Sequence, residues 1–153
     1  MAKMNFGGVI EEVSFTDEVL ERTIRELLDR NDEKALFSNE LWKISEFTTP
    51  ADVTHFDDLT KLSHLQKLTI ENQTFSSLSF LTALNDLTEL TLHKCRFQSK
   101  DIETISALPK LTNLTLTNCS LSTVAGLEKA VNLEYLNLAN NTIKNLEPLA
   151  HLV

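Results

Sequence analysis

Four times the chain spells the same aliphatic ladder: Leu65-x-x-Leu68-x-Ile70, Leu87-x-x-Leu90-x-Leu92, Leu111-x-x-Leu114-x-Leu116 and Leu133-x-x-Leu136-x-Leu138. The first leucines follow one another at 22, 24 and 22 residues. A unit this short cannot bury an apolar face alone, so it must stack on copies of itself and share a continuous interior with them. Within each ladder the apolar residues alternate with Lys, Thr, Glu, Asn or Tyr, the period of a strand with one face in the core. Between ladders the spacing changes to every third residue, as in Phe75, Leu78, Leu81, Leu84 and again in Leu121, Val124, Leu127, Ala130. A period of three over about twelve residues suits 3₁₀ or tight extended turns better than α-helix.

Strand, turn and thin return at this period are the marks of a leucine-rich repeat. The third return has two extra residues, expected at Gln98–Asp101 as a small bulge on the convex rim. Reading backwards, Val53, Phe56, Leu59 and Leu62 repeat the return spacing, so a degenerate unit precedes the first clear ladder. Its strand is expected within Leu41–Phe47, with Pro50 stopping regular pairing. The organisation is therefore a cap over residues 1–40 and repeats over 41–153, one degenerate and four clear.

The upstream segment reads as helix. Thr16 is a candidate N-cap, with Asp17 and Glu18 in a first turn where negative charge favours the helix dipole. Val19, Leu20, Ile24, Leu27 and Leu28 form one apolar stripe. Glu18/Arg22, Glu21/Arg25 and Glu26/Arg30 have the spacing of ion pairs on a solvated face. A shorter helix is expected from Ser38 through Leu41 to Ile44, and Trp42 is expected to pack where cap meets repeats. Such a segment covers the apolar edge that the first strand would otherwise expose.

The run Phe15-Thr16-Asp17-x-x-Leu20-x-x-x-Ile24-x-x-x-Leu28, the passage from Leu41-Trp42-Lys43-Ile44 to Leu62, and the closing Asn141-x-Ile143-x-x-Leu146-x-Pro148-Leu149 together resemble the helical cap and 22-residue repeats of the bacterial internalin family. The resemblance covers nearly the whole chain. It implies an α/β fold, a curved right-handed solenoid with a parallel concave sheet and an N-terminal helical cap, that grips a protein on the concave side.

Charge narrows the partners. With 14 basic and 22 acidic side chains the formal net charge is −8, which repels phosphate backbones, so no nucleic acid is expected. No apolar run reaches the roughly 18 residues of a membrane span. The opening Met1-Ala2-Lys3-Met4-Asn5-Phe6-Gly7-Gly8 has no apolar run behind it and does not read as a secretory signal. The chain as written is expected in the cytoplasm, or at the surface or outside the cell if a leader has been removed.

Catalytic signatures are missing. There is no Gly-x-Ser-x-Gly, no His-Glu-x-x-His, and no phosphate-binding loop among Gly7, Gly8 and Gly126. Cys95 and Cys119 both stand eight residues after the first leucine of their unit, without the Cys-x-x-Cys or clustered histidines of a zinc site. They read as buried unpaired thiols, since side chains stacked on neighbouring parallel strands point the same way. No metal, no cofactor and no enzyme activity are expected. Asn-x-Ser/Thr triplets at Asn72, Asn113, Asn118 and Asn140 do not indicate glycosylation, because Asn113 falls within an expected strand.

With the leucines turned inward, the third, fifth and seventh residues of each ladder face the concave surface. These are Lys67, Thr69 and Glu71; Glu89, Thr91 and His93; Asn113, Thr115 and Thr117; and Tyr135, Asn137 and Ala139. The candidate partner-binding set is all of these except Ala139. Short polar side chains on a rigid sheet meet a partner with little loss of rotamer entropy, while Thr also favours strands for its own sake. Tyr135 is an aromatic anchor or a lone exposed tyrosine. His93, with Glu71 and Glu89 nearby, is a pH-sensitive contact or simply solvated. The first function that follows is a non-enzymatic module binding a protein partner. The second is a structural unit, or a piece of a longer repeat protein, that pairs through the uncapped C-terminal edge Leu149–Val153, as in a homodimer.

Overall fold

The computed structural model describes residues 3–5, 8–150 and 152 of the chain. Gly7, and His151 and Val153 of the expected C-terminal edge, lie outside the described residues. Two small antiparallel pairs open the chain: β1 (Lys3–Asn5) with β2 (Gly8–Ile10), and β3 (Glu12–Val13) with β4 (Leu36–Phe37). Between β3 and β4 lies helix α1 (Glu18–Leu27), and after β4 comes the single turn α2 (Ser38–Leu41). The rest is a five-stranded parallel sheet in chain order: β5 (Glu46–Thr48), β6 (Lys67–Glu71), β7 (Glu89–His93), β8 (Asn113–Thr117) and β9 (Tyr135–Asn137). No helix among the described residues is long and apolar enough to cross a membrane.

Register follows the ladder. Phe47, Leu68, Leu90, Leu114 and Leu136 lie side by side, as do Ile70, Leu92 and Leu116. In β6 to β8 these rungs are at most 1% exposed. One core runs from Leu20 and Ile24 of α1 through every unit to Leu127, with Leu133, Leu136 and Leu138 packed against it and only partly covered. The returns are 3₁₀ turns at Phe56–Lys61, Ser79–Ala83, Leu127–Lys129 and Glu147–Leu149, as the period of three predicts.

The third return differs. Its two extra residues make no bulge. They give the backbone room to close an α-helix, α3 (Asp101–Ser106), with Ile102 and Ile105 fully buried. The carboxylate of Asp101, the first residue of the helix, accepts the Gln98 N–H at 2.9 Å and the Leu78 N–H of the preceding unit at 3.2 Å, so this buried acid braces the entry to the helix and ties two units together. The wider return presses on the next one. Gly126 has φ +103°, and a Cβ there would stand 3.1 Å from Glu103 Cγ and 3.3 Å from Ile102 Cγ2. Both demands select glycine.

Four sequence expectations for the N-terminal region are corrected. The N-cap of α1 is Asp17, not Thr16: Asp17 Oδ1 accepts the Leu20 N–H at 2.9 Å. Of the three expected ion pairs only Glu21–Arg25 forms, at 2.8 Å, because Arg30 lies past the helix end and turns to Asp32 and Glu40 instead. The apolar stripe loses Leu27, which is 56% exposed at the last position of α1. The strand of the degenerate unit lies at Glu46–Thr48, at the far end of the expected window, because Leu41 and Ile44 are used in α2 and the turn after it, where the Ile44 N–H reaches the Leu41 carbonyl. Phe47 takes the rung that leucine holds elsewhere. Trp42 is partly buried with its ring tilted against His64, centroids 5.4 Å apart.

The turn out of each strand has its own chemistry. Seven residues after each first leucine stand Asn72, Lys94, Asn118 and Asn140, all left-handed with φ between 52° and 58°. Asn tolerates this conformation best among residues with a Cβ, so Lys94 is the one strained choice. One residue later, the Asn141 side chain donates to the Leu116 carbonyl of the preceding unit at 2.6 Å. The Cys95 and Cys119 thiols reach the equivalent carbonyls of Ile70 and Leu92 at 3.4 Å each. Asparagine and cysteine thus serve the same inter-unit bond at different strengths.

Candidate functional site

On the sheet face away from the core, strand pairing arranges the polar residues in three columns. The first is Glu46, Lys67, Glu89, Asn113, Tyr135; the second Thr48, Thr69, Thr91, Thr115, Asn137; the third Glu71, His93, Thr117. Every candidate named from the sequence falls in a column, and neighbours in a column are separated by the strand spacing of about 4.8 Å. Sequence reasoning missed Glu46 and Thr48. The signal was there: placing Phe47 on the leucine rung puts both on the outer face by strand alternation.

The face is charged at one end and neutral at the other. Lys67 Nζ lies 3.5 Å from a carboxylate oxygen of Glu46 and 3.5 Å from one of Glu89. Glu89 first, and Glu46 after it, hold the ammonium above the usual lysine range. Glu71 is the register neighbour of His93, yet the imidazole Nδ1 bonds sideways to the Thr117 hydroxyl at 2.8 Å. Toward β9 the columns hold only amides, hydroxyls and the phenol ring of Tyr135, which is 52% exposed. A shallow hollow of about 130 Å³ lies over β5 to β7, lined by Glu46, Thr48, Lys67, Thr69, Glu89 and Thr91 among others. Hydroxyls and amides held in register by the sheet can donate and accept hydrogen bonds to an extended chain, with ion pairing confined to the β5–β7 end.

The two cysteines belong to the scaffold. Both are free and buried, and burial pushes each thiol up from its ordinary value, the opposite of what a reactive thiolate needs.

A second polar cluster, unread in the sequence, joins cap to repeats. The Asp17 carboxylate also accepts the backbone N–H groups of Thr54 and His55, at 2.7 and 2.9 Å. In return Asp58, on the 3₁₀ turn Phe56–Lys61, accepts the N–H groups of Thr16 and Asp17, both at 2.7 Å, and the Lys61 ammonium at 2.9 Å. Burial opposes ionisation of Asp17, but the donated N–H groups of Thr54, His55 and Leu20 outweigh it and bring its pKa down to about 2.

Comparison with known proteins agrees with this architecture. Residues 109–151 match the family of leucine-rich repeats (2 copies). An internalin (inlF) from Listeria monocytogenes superposes over 90% of this chain with a TM-score of 0.67 at 23% identity, and the chain spans 47% of that structure's length. An internalin C2 (inlC2) from the same species superposes over 94% of this chain and 96% of its own, with a TM-score of 0.57 at 17% identity. No curated protein matches the chain at a significant level. A ladder in register across five parallel strands, a helix over the first of them and these likenesses together give the chain a leucine-rich-repeat fold like that of the internalins.

Proposed function

We propose that this protein is a non-enzymatic interaction module that holds a protein partner against the outer face of its sheet through Lys67, Thr69, Glu71, Glu89, Thr91, His93, Asn113, Thr115, Thr117, Tyr135 and Asn137, with the cap at 1–40 serving the repeats at 41–153. The observation that carries this reading is the register of the polar columns over a packed core, two of them crossing all five strands and the third crossing β6 to β8. A preorganised surface of this kind spends little entropy on binding, and Tyr135 supplies an aromatic anchor at its neutral end. Capture of partners from lysate by the wild type and by a Tyr135→Ala/Thr115→Arg variant tests it. The variant is expected to lose the wild type's specific partner, and equal capture by both overturns the use of this face.

One observation favours a second reading, association through the C-terminal edge. Leu146 is 60% exposed and Val131 77%, and the rungs of β9 are only partly covered. Light scattering over a wide concentration range decides it, since a strict monomer throughout removes self-pairing.

A further inference from the structure

Where α1 ends against the first strand, a cleft of about 510 Å³ is lined by Leu27, Leu28, Asp29, Lys43, Ile44 and Glu46, with Glu40 also on its wall. Its size suits one or two aliphatic side chains. Leu27 is exposed here although α1 otherwise turns its large apolar residues inward. Of the three carboxylates, Glu40 is committed to Arg30 and to the Phe37 N–H, which leaves Asp29 and Glu46 to the cleft opening, with Lys43 the one cation of the lining.

Glu46 lines both this cleft and the hollow over β5 to β7, so the two adjoin at this residue and together make a track from cap to sheet. Along it, Glu46 and Glu89 share Lys67 at 3.5 Å, well beyond the 2.7–2.9 Å of a close charge-assisted bond. Two carboxylates held loosely by one ammonium can take a guanidinium or a second ammonium without losing a strong bond. The chain's net charge of −8 draws such a group in.

We propose that this track is the partner-specificity end of the binding face: it takes a peptide segment of a protein partner in which an aliphatic side chain enters the cleft over Leu27 and Ile44 while a neighbouring Arg or Lys reaches Glu46 and Glu89. The proposal rests on the sheet-face reading above and narrows it to a basic, aliphatic segment. Selection of random heptapeptides displayed on phage against the immobilised full chain tests it. Enriched sequences are expected to pair a Leu, Ile, Val or Met with an Arg or Lys. Binding of those sequences is expected to fall about tenfold on Leu27→Asp and on Glu46→Lys, both exposed positions, with unchanged thermal unfolding showing that each variant is folded. No enrichment, enrichment of sequences without a basic residue, or binding to both variants equal to that of the wild type overturns the proposal. Enrichment lost on Tyr135→Ala/Thr115→Arg but kept on Leu27→Asp and Glu46→Lys overturns this track alone and leaves the sheet face standing. Enrichment kept on all three overturns both.

Discussion

At the β5 end of the sheet the core is closed by a cap whose attachment is polar and reciprocal. Asp17 of the cap takes N–H groups from the first return, and Asp58 of that return takes N–H groups from the cap. At the β9 end the same aliphatic ladder has no further rung over it among the described residues, and Leu133, Leu136 and Leu138 are only partly covered. Identical repeat chemistry therefore stands in two environments, and the difference teaches that a rung's worth is set by its neighbours more than by its own side chain. A central leucine is covered by a unit on each side, the last one by a unit on one side, and the first unit by a helix held through buried carboxylates.

That comparison breaks if the ends respond alike. Leu114→Ala, in the middle of the stack, should cost about 2–5 kcal/mol in denaturant titration, the range for emptying a closed aliphatic site. Leu136→Ala on β9 should cost less than half as much, because part of that side chain already meets water. Equal losses would mean that the last rung is as fully packed as the central one.

Asp58→Ala should cost roughly 1–3 kcal/mol, since it strands the buried Asp17 N–H and the half-buried Thr16 N–H of the cap entry and removes the partner of Lys61. Hydrogen exchange should then show opening confined to α1 and the turn before it, with β8 and β9 unaffected. Opening that spread evenly along the sheet would separate the cap's stability from this carboxylate.

Acid should reach the cap first. Asp17 has a folded pKa of about 2 against an ordinary 3.8. The stability it contributes is full above pH 3.8 and is lost as pH falls through that window toward 2. The contribution is roughly 2 kcal/mol. Amide exchange at Leu20, Thr54 and His55 should speed up over this interval, and Asp17→Asn should flatten the response. A pH profile unchanged in that variant would assign acid sensitivity elsewhere.

The smallest effects belong to the turns and the β9 end. Lys94→Asn, at φ 52°, should stabilise by about 0.5–1 kcal/mol by relieving a left-handed conformation that Asn adopts in the three equivalent turns. Leu146→Lys should shift stability by no more than about 0.5 kcal/mol, while removing apolar surface from the β9 end. A larger loss would show that Leu146 is buried in solution by an association at that edge.

The ladder spacing by itself determined the parallel sheet, the register of β6 to β9, the 3₁₀ form of the regular returns and which residues of those four strands line the outer face, because a period of 22 with alternating leucines is satisfied by one stacking only. It also pointed to a helical cap, from the stripe Leu20, Ile24, Leu28 and the need to cover an apolar edge. Where periodicity stopped, tertiary structure decided. Whether two extra residues become a bulge or α3 depended on Asp101 finding the Leu78 N–H in another unit. Whether Thr16 or Asp17 caps α1 depended on Thr54 and His55 arriving from the first return, and the position of β5 depended on Leu41 and Ile44 being taken by the turn before it. The first two rest on hydrogen bonds between segments distant in the chain and the third on burial of Leu41 and Ile44 in the shared core, none of which local spacing encodes, whereas the ladder repeats its own instruction in every unit.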